Sequence, residues 1–265
     1  MPFCSGWPGP WGEGYTVPPL CLHLSLARDA LFQLGDSPGG GRGRYLIGAT
    51  LPDIHMMSDF AREHTHYMDL AQREEGGEEI ARFFKANPHL AHESKNPPTR
   101  ALVAGYLSHL VTDSTWIARI YHPYFGPESS LSGEPLANLL DRLLQFELDR
   151  REQEDMAAMA AMVKNIGLVS WDKEAALFDE DSLMRWQTFV MDAAVRPHTW
   201  DRFPTFVRHY VARHGNLRED QVKRFLSDIP ARLSWVLEHV PPEALVAFRQ
   251  GALQGSLRLA RERGW

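Results

Sequence analysis

Cysteine is scarce in this chain. Two occur in 265 residues, Cys4 and Cys21, too few for a disulfide scaffold or a cysteine-based zinc site. Long apolar runs are missing too, and nothing approaches the roughly 18 consecutive apolar residues of a membrane-spanning helix. Nor is there a basic excess. Lys and Arg number 28 against 34 Asp and Glu, a formal charge of −6. A protein that follows a phosphate backbone needs a basic surface or stripe, so the balance disfavours general nucleic-acid binding. The opening Met-Pro-Phe-Cys-Ser-Gly-Trp has neither a basic n-region nor an unbroken apolar h-region. It does not read as a secretory signal, and the expected location is cytoplasmic.

No segment alternates convincingly as a strand, and no internal repeat or low-complexity tract is present. What is there is helical patterning, with 44% hydrophobic residues to fill a core. Leu20 to Leu34 begins with alternating leucines that mimic a strand, but its later apolar spacing is helical. Gly35 and the glycine-rich run to Arg44 end it; that run lacks the Lys-Ser/Thr of a P-loop and reads as a loop. Helices are predicted over 59–68 and 78–86. Asn96-Pro-Pro-Thr99 reads as a break, with Thr99 capping a helix from Arg100 to Ile120 that His122-Pro123 closes. Residues 136–166 read as one long helix ending at Gly167. Four more follow over 183–194, 203–214, 218–239 and 242–263, with caps at Asp181-Ser182 and Asn216. Pro230 kinks or divides the third because it cannot donate to the helix ladder. The expected organisation is an extended arm (1–19), a metal-binding helical core (20–166) and C-terminal helices packed on that core (167–265). The fold class is all-α.

Chemistry concentrates in Ala104-Gly-Tyr-Leu-Ser-His109-Leu-Val-Thr-Asp113. Four residues turn an α-helix by about 400°, so His109 and Asp113 leave one face a turn apart. Such a pair is either a buried hydrogen bond or part of a site for a divalent ion such as zinc. Upstream lie His23 in an apolar stretch, Asp53 at the end of Ile47-Gly-Ala-Thr-Leu-Pro-Asp53, and His64-Thr-His66-Tyr-Met-Asp69. Asp53 follows a stiff proline and suits either a ligand or a helix N-cap. His64 and His66, two apart on a helix, point about 200° apart and cannot both face one ion.

In that order, these residues resemble the zinc-dependent phospholipase C family, whose fold is shared with P1/S1-type nucleases. The pattern is a His in the first helix (His23), G-x-x-x-P-D (Gly48 to Asp53), H-[FY]-x-D (His66 to Asp69) and G-[YL]-x-x-H-x-x-x-D (Gly105 to Asp113). The resemblance covers about residues 20–150 and implies a multi-helix phospholipase C/P1 nuclease-like bundle with additional C-terminal helices. It implies that Asp53, His66, His109 and Asp113 hold one zinc ion and that His23 joins Asp113 at a neighbouring one. Of the two histidines, it selects His66, which the matching aromatic follows. His55 has no counterpart ligand in the family.

Two departures stand out. Known members use the amino group of a mature N-terminal Trp as a ligand, and here no processing signal exposes Trp7 or Trp11. A third ion would fall to His122 and to Asp141, Gln145 and Asp149, spaced i, i+4, i+8. Gln is a poor zinc ligand because its carbonyl is neutral, so this third site is incomplete. Two zinc ions are expected; an all-nitrogen-and-oxygen donor set also suits iron or manganese.

The resemblance implies hydrolysis of a small-molecule or lipid phosphate ester through a metal-activated water. Asp53 would help position that water, with Asp69 orienting His66 or acting as general base. Tyr67, Trp116, Tyr121, Tyr124 and Phe125 offer an apolar or base-stacking wall, or else core. The nearest rival is a nuclease or nucleotide phosphatase. A rival of another class is a non-catalytic metal-binding or structural protein.

Overall fold

The computed structural model describes residues 19–35, 41–57, 61–68, 77–91, 96–171, 177–214 and 217–264. Four expectations lie outside them: the arm through residue 18, the helix start at Asp59, Asp69 and the cap at Asn216. The protein is all-helical, with no strand among the described residues. In chain order the α-helices are α1 (Leu20–Leu34), α2 (Arg42–Gly48), α3 (Glu63–His66), α4 (Glu78–Ala86), α5 (Pro88–Ala91), α6 (Pro97–Trp116), α7 (His122–Tyr124), α8 (Ala137–Gln153), α9 (Met156–Gly167), α10 (Glu180–Val195), α11 (Phe203–His214), α12 (Glu219–Leu226), α13 (Ile229–His239) and α14 (Pro242–Glu262). A 3-10 helix, Leu51–Met57, follows α2, and a π-helical turn, Ile117–Tyr121, extends α6.

Several boundaries differ from the sequence reading: α2 begins at Arg42 within the expected loop, α3 covers only Glu63–His66, and the helix carries past His122-Pro123 through a π-helical turn and α7. Three further differences have a local reason. α6 starts at Pro97, not Arg100: both prolines occupy the first turn, where the missing N–H has no partner to lose. The long helix over 136–166 is two helices. Asp155 leaves helical geometry, and its carboxylate accepts the backbone N–H of Ala158 at 3.0 Å, capping α9. α10 starts at Glu180 because Asp179, rather than Asp181, caps it through the N–H of Ser182. Pro230 does divide the predicted helix, sitting in the first turn of α13.

α1 and α6 lie at the centre. Every residue from Cys21 to Ala27 is buried, and α1 feeds two apolar clusters, Cys21, Leu24, Ala27 and Leu31 entering one and Leu22 and Leu26 the other. Burial on both sides explains the strand-like run of leucines. α6 is buried without interruption from Ala101 to Trp116. The hydroxyls of Ser108, Thr112, Ser114 and Thr115 are satisfied within the helix, as Ser108 donates to the Gly105 carbonyl and Thr112 to the Ser108 carbonyl.

α2 crosses α6 backbone to backbone. A Cβ on Gly105 would stand 2.0 Å from the Tyr45 carbonyl oxygen, and one on Gly48 would stand 2.3 Å from that of Leu102. Only glycine at both positions allows this approach. The crossing holds the loop after α2 against α6, and Trp186 of α10 fixes it further by donating to the Thr50 hydroxyl at 3.1 Å. α14 packs along α1 and α6, and α10 along α9. No described helix is long and apolar enough to cross a membrane.

Candidate metal centre

Four elements deliver their polar side chains to one buried point. α6 contributes His109 and Asp113, α1 His23, the 3-10 helix Asp53 and His55, and the last turn of α3 His66. His66 and His109 are wholly buried, as is Asp113, while Asp53 is 7% exposed. His66 ends its helix against a left-handed Tyr67 (φ 55°), which turns the chain away. His64 is exposed, as the helical period requires.

His66 Nε2 lies 3.3 Å from Asp53 Oδ1, 3.3 Å from His109 Nε2 and 3.5 Å from Asp113 Oδ2, and His109 Nε2 is also 3.5 Å from that oxygen. Ligands at zinc's 2.0–2.2 Å bond lengths, placed at tetrahedral corners, stand about 3.3–3.6 Å apart. Each of the four separations is of that size, and by mutual proximity the side chains fall into two adjoining groups, His23 with His109 and Asp113, and Asp53 with His55 and His66. Asp113 also turns Oδ1 toward His23 Nε2, 3.2 Å away, and the His23 and His109 rings stack at 3.8 Å.

Outer partners fix the proton on three of the four rings, those of His109, His66 and His55. His109 Nδ1 faces the Ala49 carbonyl at 2.9 Å and must donate to it. Thr65 gives its only hydroxyl proton to the Arg62 carbonyl, so its oxygen accepts from His66 Nδ1 at 3.0 Å. His55 Nδ1 likewise donates to the Pro52 carbonyl. In the neutral rings each Nε2 is left with a lone pair. Two such lone pairs 3.3 Å apart, flanked by two carboxylates, repel one another unless a cation or an extra proton sits between them. The donor set therefore fits a divalent ion, with outer hydrogen bonds of the kind that orient metal-bound imidazoles.

Electrostatics follow the same geometry. Burial pushes the Asp53 and Asp113 carboxyls up, but His109 and His23 at both, with His66 at Asp53, more than reverse this and hold both below the ordinary carboxylate range. Burial, with Arg62 next, drives His66 down to about 3 against the opposing pull of Asp53 and Asp113. Burial and His109 lower His23. Burial lowers His109 as well, but Asp113 and Asp53 outweigh it and raise the ring above its usual value.

The structure does not bring every expected residue here. Asp141 on α8 is wholly buried with its oxygens already engaged, accepting from Trp116 Nε1 at 3.2 Å and from Gln145 Nε2 at 2.6 Å. His122 stands beside Tyr121 with its Nε2 buried and unpartnered. Neither joins a metal-type cluster among the described residues, and Asp69 lies outside those residues. Trp116 and Phe125 belong to the second apolar cluster, not to a mouth.

Two residues at the centre stand outside the expected set, His55, set aside for want of a family counterpart, and Arg62, which no motif singles out. His55 groups with Asp53 and His66, its ring edge-on to His66 at 5.2 Å. Arg62 is 8% exposed and donates to Asp113 Oδ2 at 3.0 Å. His55 followed the Pro-Asp motif closely enough to be noticed; nothing in the sequence around Arg62 marked it.

An all-helical fold brings buried His and Asp side chains together from four segments, a donor set of the kind that can hold a metal ion. Residues 22–163 match the family described as zinc dependent phospholipase C, more than half of the chain. The chain belongs to that family and is a zinc-dependent, phospholipase C-like hydrolase. No curated protein and no solved structure matches it.

Proposed function

We propose that this protein hydrolyses phosphoric esters, a phosphodiester of a small molecule or lipid being its substrate. The observation that supports this best is the convergence of Asp53, His66, His109 and Asp113 at zinc-like separations. Those four would hold one zinc ion, and His23 with the other oxygen of Asp113 would serve a neighbouring one. Bound zinc supplies Lewis-acid polarisation of the phosphoryl oxygen and a water acidified toward neutrality.

The chain's own residues do the rest. Thr65 and the Ala49 carbonyl fix the rings of His66 and His109. Asp53, whose side chain is 11% exposed where Asp113 is closed off, is the carboxylate placed to position an incoming water. Arg62 offers a guanidinium to the anionic ester beside Asp113. Asp69 is the proposed general base.

The test is metal analysis of protein purified without chelator, followed by a screen of phosphomonoesters, phosphodiesters, nucleotides and phospholipids. Metal-dependent turnover of a phosphodiester is the expected result. Preference for nucleic acid or nucleotides would move the assignment to a nuclease or nucleotide phosphatase. A second reading, a metal-holding protein without turnover, gains from the separation of His122 and Asp141 from the cluster. Full metal content with no hydrolysis across the panel would establish it.

A further inference from the structure

A second cluster lies on the other side of α1. Cys21 Sγ, a carboxylate oxygen of Asp149 and a ring nitrogen of His198 all fall within 4.8 Å of one another. Cys21 is wholly buried and Asp149 is 1% exposed, whereas the His198 side chain, 20% exposed, reaches the surface. Asp149 Oδ1 accepts the backbone N–H of Leu22 at 2.9 Å, and Oδ2 stands 3.2 Å from His198 Nδ1. That Nδ1 is buried and makes no hydrogen bond. Among the described residues, His198 is the only basic side chain within ion-pair distance of Asp149.

His198 is held for this position. Gln153 accepts its backbone N–H and donates to the carbonyls of Ala193, Ala194 and Arg196, clamping the whole segment after α10 to the end of α8. Phe146 stacks on the imidazole at 5.5 Å and 15°. Cys21 and His198 both lie outside residues 22–163, so the family match accounts for neither.

We propose that Cys21, Asp149 and His198 form a separate site for a single borderline or soft divalent cation, zinc being the natural occupant. One sulfur, one oxygen and one nitrogen donor are the mixture zinc accepts, whereas magnesium and calcium require oxygen. A fourth position, on the exposed side of His198, falls to water. The thiol proton of Cys21 and any proton on Asp149 leave to solvent as the ion enters, and the thiolate sulfur stays as a ligand. This site is independent of the ester-hydrolysis reading, because it shares no ligand with the centre around Asp113.

Cobalt distinguishes the two sites, since only a thiolate ligand gives a sulfur-to-cobalt charge-transfer band in the near ultraviolet. Cobalt-loaded wild-type protein should show that band, Cys21→Ser should abolish it, and Asp113→Asn should keep it. Metal content should fall by one ion per chain in Cys21→Ser. His198→Gln, at the partly exposed position, should lower it in the same way if the buried cysteine variant fails to fold. Cobalt-loaded wild type without the band, or unchanged metal content in a folded His198→Gln protein, would overturn the proposal.

Discussion

Arg62 donates to the same Asp113 oxygen that faces both His66 and His109, at 3.0 Å. A fixed positive charge beside a cation-binding carboxylate weakens its hold on the cation but strengthens its hold on an anionic substrate. Arg62→Gln should therefore raise zinc affinity while lowering kcat/KM, with the loss in KM of the ester. A 10- to 100-fold loss, about 1.4–2.7 kcal/mol, is what removing one charge-assisted contact predicts. Competition with a chelator and steady-state kinetics measure the two effects, and their opposite signs are the signature.

Asp113 is the most central acidic group of the site. Asp113→Asn keeps the shape but removes the charge that offsets the cations. It should remove at least one metal per chain and reduce ester hydrolysis by roughly 10³-fold or more, with the helical circular dichroism unchanged. His64→Ala should leave both metal and rate near wild type, because His64 points to solvent.

The glycine crossing offers a test that never touches a ligand. Gly105→Ala would put a Cβ against the Tyr45 carbonyl, and forcing α2 from α6 should cost about 1–3 kcal/mol. The displacement moves Ala49 away from His109, so metal affinity should fall together with the melting temperature. Unfolding curves with and without added zinc check both.

Asp141 predicts a pH effect apart from the metal. Burial raises its carboxyl to about 7 in spite of Arg142, Trp116 and Gln145, far above the roughly 3.9 of an unfolded aspartate. The folded state therefore binds the extra proton between those values. Stability from this group is full below about pH 4 and declines as pH rises through 7. Asp141→Asn should flatten that decline, its melting temperature gaining on wild type between pH 5 and 8, with metal content unchanged. Loss of an ion instead would return Asp141 to the ligand set.

Most helices were legible because a buried face repeats at helical spacing, and α1, α4 and α11 stand where the pattern put them. The break at Glu154–Asp155 was not, since no proline or glycine marks it and a lone aspartate cap resembles any surface acid. At the site, His109 and Asp113 were visible as an i, i+4 pair, and Asp53, His66 and His23 through motif order. His55 depends on the turn of a 3-10 helix and Arg62 on a tertiary approach to Asp113, which no spacing encodes. Cys21, Asp149 and His198 are separated by more than a hundred and by dozens of residues, so only tertiary packing could join them.

α1 is shared between both apolar clusters and carries His23 in its first turn, within the buried run from Cys21 to Ala27. Such a helix cannot loosen on its own without opening both clusters at once. Its central amides should exchange with solvent only at the rate set by complete unfolding, not by local breathing. An ion bound through His23 would thereby slow exchange across the whole chain, including helices that never approach it.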